Sequence, residues 1–270
     1  MRRLLRIRRD GLPRRALLVV AACVLASMTW SAQVYVWATD TPFGVPAGLT
    51  YVSTDGYATR YQAWGPASAR PVVLVHGAFE SVATWVPVAT RLARTVHVEA
   101  YDLEGYGYTE HVGPYTTEAM ARQLAGFLAA RHLEHTVLVG HSLGAGVIAR
   151  FVLDHPGQAA GVVFLDGDGL SASYPGSSVP GLVPQPFRTA LYRGAVRNRS
   201  LVSTVFGLAC GPGCPTLTSR QLTAVQGPLL VAGAELMLIT PTAVLIEISQ
   251  THLIIEAMRT LKSKGCLWQG

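Results

Sequence analysis

The stretch Gly140-His141-Ser142-Leu143-Gly144 constrains this chain more than any other, because a glycine flanks the serine on each side where two kinds of backbone meet. Before it, Thr136 to Val139 is a short, β-branched apolar run of the kind that forms a buried strand. After it, residues 145–154 have helical spacing, with Val147, Ile148, Phe151 and Val152 on one face. A strand that turns at once into a helix forces the residue at the corner into a strained conformation. Glycine at both flanks lets the backbone turn without a Cβ clash and lets a neighbouring strand approach. The amide hydrogens of the helix start then lie behind the serine hydroxyl, with partial positive charge available to an anion.

The chain has 27 glycines, so the spacing alone could arise by chance; its surroundings decide the matter. Pro71 to Val75 reads as another buried strand and ends in His76-Gly77-Ala78-Phe79. Val96 to Tyr101 reads as a third, followed by Asp102-Leu103-Glu104-Gly105-Tyr106-Gly107. A helical pattern over 117–131 leads to the serine strand, and Gly161 to Leu165 reads as a strand closed by Asp166-Gly167-Asp168. Strand and helix alternate throughout, which predicts an α/β protein with a parallel sheet.

On these residues, the region from about 51 to 168 resembles the core of the α/β-hydrolase superfamily. The resemblance rests on His76-Gly77, on Asp102-x-x-Gly105-x-Gly107 and on the glycine-bracketed Ser142. It implies a mostly parallel sheet with helices on both faces and a helical cap inserted after strand six. It also implies catalysis by a serine, a histidine and a carboxylate. Ser142 would be the nucleophile. The backbone N–H of Leu143 would be one oxyanion donor, with the other from Ala78 or Phe79. No metal or organic cofactor is implied, and the substrate would be a small ester or lipid-like molecule.

The acid and histidine depart from the family pattern. In one reading Pro228 to Val231 is strand seven, Glu235 the acid and His252 the base, although 17 positions separate the two and His252 lacks a preceding glycine. In the other, 220–238 is the last cap helix, strands seven and eight are lost, and 240–270 is divergent. A third arrangement concerns the acid alone, with Asp166, at the end of strand six, in place of Glu235. His76 is expected to organise its loop, Asp102 to hold backbone, and His141 to point away from Ser142 by strand alternation. His97, His111, His132, His135 and His155 carry no pattern around them.

The net charge of +6 does not imply nucleic acid. Seven of the 22 basic and one of the 16 acidic residues fall within 1–15, so the rest of the chain carries equal numbers of each. Residues 16–38 that follow contain no charge and, as a helix, would span a hydrocarbon layer of ~30 Å. Trp30, Tyr35 and Trp37 gather at their far end, where an aromatic belt meets headgroups. The expected organisation is a cytoplasmic tail (1–15), a single-pass signal anchor (16–38) and an extracytoplasmic hydrolase domain (48–270) with its cap at about 169–240. A cleaved signal peptide and a secreted domain form the alternative. The sequence then predicts a membrane-anchored serine hydrolase of esters, or less readily amides. The alternative is a catalytically impaired or C-terminally truncated hydrolase-like binding protein. Cys210 and Cys214, alone in a Gly/Pro turn, suggest a local disulfide rather than a zinc site.

Overall fold

The computed structural model describes residues 14–40, 45–165, 185–210, 216–231 and 233–234. Helix α1 (Arg14–Asp40) comes first, followed by strands β1 (Thr50–Thr54) and β2 (Tyr57–Trp64). Strand β3 (Pro71–Val75), helix α2 (Val82–Leu92), strand β4 (His97–Tyr101) and helix α3 (Thr117–Ala130) continue the chain. Strand β5 (Thr136–His141), helix α4 (Leu143–Asp154) and strand β6 (Ala159–Leu165) complete the described core. Helices α5 (Gln185–Arg197), α6 (Arg199–Cys210) and α7 (Ser219–Leu229) lie in the stretch expected as a cap.

The sheet runs β1-β2-β4-β3-β5-β6. Strands β4, β3, β5 and β6 run parallel to one another, whereas the β1–β2 and β2–β4 pairs are antiparallel. The β1–β2 hairpin turns on Asp55 (φ 49°) and Gly56 (φ 91°), two successive left-handed residues that match the twist of the flanking strands.

Strand alternation divides the core into two layers. Val73 and Val75 of β3 face one side and pack with Tyr101, Leu124, Phe127, Leu138, Ile148 and Phe151 under α3 and α4. Val72 and Leu74 face the other side, against Val82, Trp85 and Ala89 of α2. Phe127 stacks on Tyr101 with ring centroids 4.7 Å apart and meets Tyr61 edge-on at 5.8 Å. Over the far face of Tyr61 lies the Arg131 guanidinium, 4.4 Å from the ring centroid. That guanidinium also forms a bidentate pair with buried Glu99, whose Oε1 lies 2.9 Å from His97 Nε2. A carboxylate placed inside a sheet is tolerated here because each of its oxygens is engaged.

One of the two readings of the stretch before Glu235 is corrected. Pro228 to Val231, read as strand seven ahead of Glu235, instead closes α7: Pro228 and Leu229 are helical and Leu230 is the cap. The reason lies ten residues upstream, where Thr218 and Gln221 form a reciprocal capping box that starts the helix. Asp166, Glu235, His252 and Cys214 lie outside the described residues, and Cys210 ends α6.

Candidate active site

The corner between β5 and α4 is built on close backbone contact. Ser142 has φ 47° and ψ −113°, a strained conformation for a residue with a side chain, at the N-cap of α4. Both flanking glycines are sterically required. A Cβ on Gly140 would lie 2.5 Å from the Gly144 carbonyl oxygen, and one on Gly144 would lie 2.3 Å from that of Val75. The elbow is pinned from a third direction by the Ser142 N–H, which donates to the Leu165 carbonyl at 3.0 Å. N-cap serines commonly spend their hydroxyl on the helix amides, but Ser142 makes no such side-chain bond. Leu143 is the first residue of α4, and its N–H has no acceptor one turn earlier within the helix.

The loop after β3 closes over this corner. A Cβ on Gly77 would lie 3.2 Å from Ser142 Cβ and 2.9 Å from His141 Nδ1. Both side chains therefore border the loop, which corrects the expectation that His141 points away. Strand alternation ends at Ser142, because its backbone has left strand geometry. Ala78 follows Gly77 in this loop, and Phe79 after it takes φ 62° and is half exposed.

Two polar residues hold the loop in place. His76 is fully buried and accepts the Leu103 N–H at Nε2 (2.9 Å), so Nδ1 carries the proton and donates to the Gly77 carbonyl (2.7 Å). Burial pushes its pKa below the ordinary imidazole value and outweighs the attraction of Asp102, the Gly77 bond and Glu80. With both nitrogens committed, His76 organises the turn. Glu80, which sequence reasoning missed, accepts the Gly77 N–H at 2.9 Å and pairs with His141 Nδ1 at 3.1 Å. Burial pushes Glu80 upward. The His141 hydrogen bond, the Gly77 amide and the charge of His141 together prevail and hold it below the usual carboxylate range. Its signal in the sequence is slight, a carboxylate three residues after the glycine of a tight turn.

The second turn is centred on Asp102, which is fully buried. Its Oδ1 accepts the Val82 N–H at 2.6 Å at the start of α2, and its Oδ2 accepts the Tyr108 N–H at 2.8 Å. Arg60 Nη1 lies 3.6 Å from Oδ1. Gly107 (φ 61°) is packed so tightly against this carboxylate that a Cβ would lie 2.1 Å from Asp102 Cγ. A narrow cleft beside the His76-Gly77 loop is lined by Phe79, Glu80, Tyr106, Tyr192, Pro228 and Leu229, and Tyr192 ties α5 to α7 through the Leu229 carbonyl at 3.0 Å. Among the described residues no group of three or more metal-ligating side chains converges.

An acid-stability prediction follows from His76 and Glu80. Both have folded pKa values below their unfolded ones, so each contributes stability that is complete above its unfolded value. His76 begins to cost stability as pH falls below 6.5, and Glu80 as it falls below 4.5. Unfolding free energy measured against pH is expected to decline first in the imidazole range and again in the carboxylate range. Glu80→Gln removes the second decline and keeps the first; an unchanged profile would refute the assignment.

Comparison with known proteins agrees with this architecture. Residues 70–195 match the family described as the alpha/beta hydrolase fold. The 2-hydroxy-6-oxo-2,4-heptadienoate hydrolase of Pseudomonas putida is 36% identical over 106 residues, covering 37% of this chain and 38% of that protein. A loop variant of the haloalkane dehalogenase DbeA from Bradyrhizobium elkanii superimposes with a TM-score of 0.61 at 18% identity, covering 80% of this chain and 76% of that one. A bacterial membrane phospholipase A superimposes with a TM-score of 0.53 at 21% identity, covering 92% and 73% respectively. The chain spans 37% to 46% of the length of the first curated relatives it matches. With its sheet order and serine elbow, this chain has the α/β-hydrolase fold, and hydrolases are among the proteins it is similar to.

Proposed function

We propose that the protein is a membrane-anchored serine hydrolase that cleaves esters, or less readily amides, on the extracytoplasmic side. The observation that carries this reading is Ser142 itself, held in a strained left-handed corner with its hydroxyl unused by the helix it caps. In the reaction Ser142 Oγ attacks the ester carbonyl carbon while its proton passes to a histidine, for which His252 is the candidate. Asp166 or Glu235 would orient that imidazole and stabilise its charged form. The developing oxyanion would be met by the N–H groups of Leu143 and Ala78 and by the positive end of α4. The carbon–oxygen bond then breaks, the alcohol leaves with the proton, and water releases the acid from the acyl-enzyme.

Support for the anchor comes from α1, whose segment Arg14–Gln33 is long and apolar enough to cross a membrane and is almost wholly exposed. Seven arginines within residues 1–15 would keep the N-terminus cytoplasmic.

Fluorophosphonate labelling of the full chain in membranes tests the reading. The native chain is expected to label, and both Ser142→Ala and His252→Ala to lose labelling, since either loss in a triad costs on the order of 10^6-fold in rate. Labelling that persists in His252→Ala would exclude that residue as the base. A native chain that keeps its helical signal yet never labels would refute the hydrolase reading and leave a binding protein.

A further inference from the structure

The stretch 169–234 differs in charge from the rest of the chain. Between residues 169 and 234 there are five arginines, at 188, 193, 197, 199 and 220, and not one aspartate, glutamate or lysine. The remainder of the chain beyond residue 15 therefore carries an acidic excess. The guanidinium of Arg199, at the start of α6, is held by neutral oxygens of Thr223, Gln226 and Ser219.

The same cap exposes an apolar row. Leu201, Val205 and Leu208 stand at i, i+4 and i+7 on α6 and are 42%, 55% and 77% exposed, and Leu191 on α5 is 68% exposed. Helix α6 packs on α5, and α5 packs on α1. Within residues 14–33 the buried position is Ser31, so α1 is covered toward the end of its apolar segment farther from the arginine-rich tail. An exposed apolar face, in a stretch whose charged residues are all arginines and which is linked through α5 to the apolar helix α1, has the composition of an interfacial surface.

We propose that α6, with Leu191 of α5, lies in the outer headgroup layer of the same bilayer that α1 crosses, and that this surface selects anionic phospholipid. Leu201, Val205 and Leu208 enter the acyl boundary, while the exposed Arg199 and Arg220 meet phosphate and other headgroup oxygens. Tyr192 of α5 lines the cleft beside the His76-Gly77 loop, so the docked cap places that cleft at the lipid surface. On the hydrolase reading the substrate class becomes an acyl ester drawn from the bilayer. The docking itself rests only on α1 spanning the membrane and does not require catalysis.

Photolabelling of the full chain in vesicles separates these points. The probe is a phosphatidylglycerol with a diazirine high on its acyl chain, carried in phosphatidylcholine. Trypsin releases α1 on the peptide 16–60 and α6 on the peptide 200–220, and reduction before digestion frees the cysteines of the latter. Adducts on both peptides are expected. Leu201→Asp/Val205→Asp/Leu208→Asp is expected to cut labelling of 200–220 about tenfold relative to 16–60, the effect of ~1.4 kcal/mol. The native chain gives a second reading that needs no variant. With the same diazirine placed on phosphatidylcholine, labelling of 200–220 relative to 16–60 is expected to fall when anionic lipid is omitted. Adducts confined to 16–60 would overturn the docking while sparing the anchor, and absence from 16–60 would overturn both. Equal labelling of 200–220 with and without anionic lipid would overturn the anionic selection. None of these readouts depends on labelling of Ser142, so failure here and failure of the hydrolase reading are distinguishable.

Discussion

Gly144→Ala is expected to lower the midpoint of thermal unfolding by about 6–12 °C and to abolish reaction with fluorophosphonate. A Cβ at this position would meet the Val75 carbonyl oxygen at 2.3 Å, the Val75 carbonyl carbon at 2.7 Å and the His76 carbonyl oxygen at 2.8 Å. All three are backbone atoms of a central strand and its loop, so no side-chain rotation relieves the clash. Overpacking in a well-filled interior costs about 1–3 kcal/mol. With backbone on every side the upper end applies, and ~3 kcal/mol corresponds to the stated shift for a domain of this size. The relief available is for α4 to move away from β3, which displaces Ser142 and the Leu143 amide from the Gly77 loop. Gly161→Ala in β6 is the control, since a Cβ there meets nothing within 4 Å. Comparable losses in the two variants would show that the close approach at the elbow is not what the fold depends on.

Asp102→Ala is expected to be more damaging to stability, by about 3–5 kcal/mol, because it removes one member of a buried ion pair and leaves the other. Val82 and Tyr108 would lose their acceptors, and Arg60 would keep its charge in a nearly dry site. Asp102→Asn should cost less, since its one amide oxygen can still accept one of the two N–H groups. Pairing Asp102→Ala with Arg60→Leu should recover part of the loss, and a double-mutant cycle measures how much. Chemical denaturation provides the free energies, with labelling of Ser142 measured in the folded fraction. Retained labelling at reduced stability marks Asp102 as a positioning residue. Full stability with lost labelling would instead place it among the reacting groups.

Local pattern and long-range geometry contributed unequally to what the sequence could reveal. Strands β3 to β6 and helices α3 and α4 were legible because each pairs a β-branched run or a helical stripe with turn residues at its ends. The strained serine was legible for the same reason, since two glycines at fixed offsets have few other uses. The strand order β4-β3-β5 was not, because the period of a buried parallel strand carries no record of its neighbours. The β1–β2 hairpin had a readable signal in Asp55-Gly56 that the apolar pattern around it overshadowed. At Pro228 to Val231, three apolar residues after a proline fit a strand or a helix end equally. Only the Thr218–Gln221 box, outside that window, decides between them. Glu80 was invisible for a different reason: it acts on Gly77 and His141, and the second of these lies 61 residues away.

The bond from Ser142 to Leu165 means that the serine is not a free-standing tip at the end of its own strand. Gly144 rests on the end of β3, Gly140 belongs to β5, and Leu165 closes β6, so three strand ends meet at one residue. Reactivity at Ser142 is therefore a gauge of how faithfully that edge of the sheet is assembled. A lesion in any of the three strands should dull the serine well before the domain as a whole comes apart, and a covalent probe would register it earlier than heat.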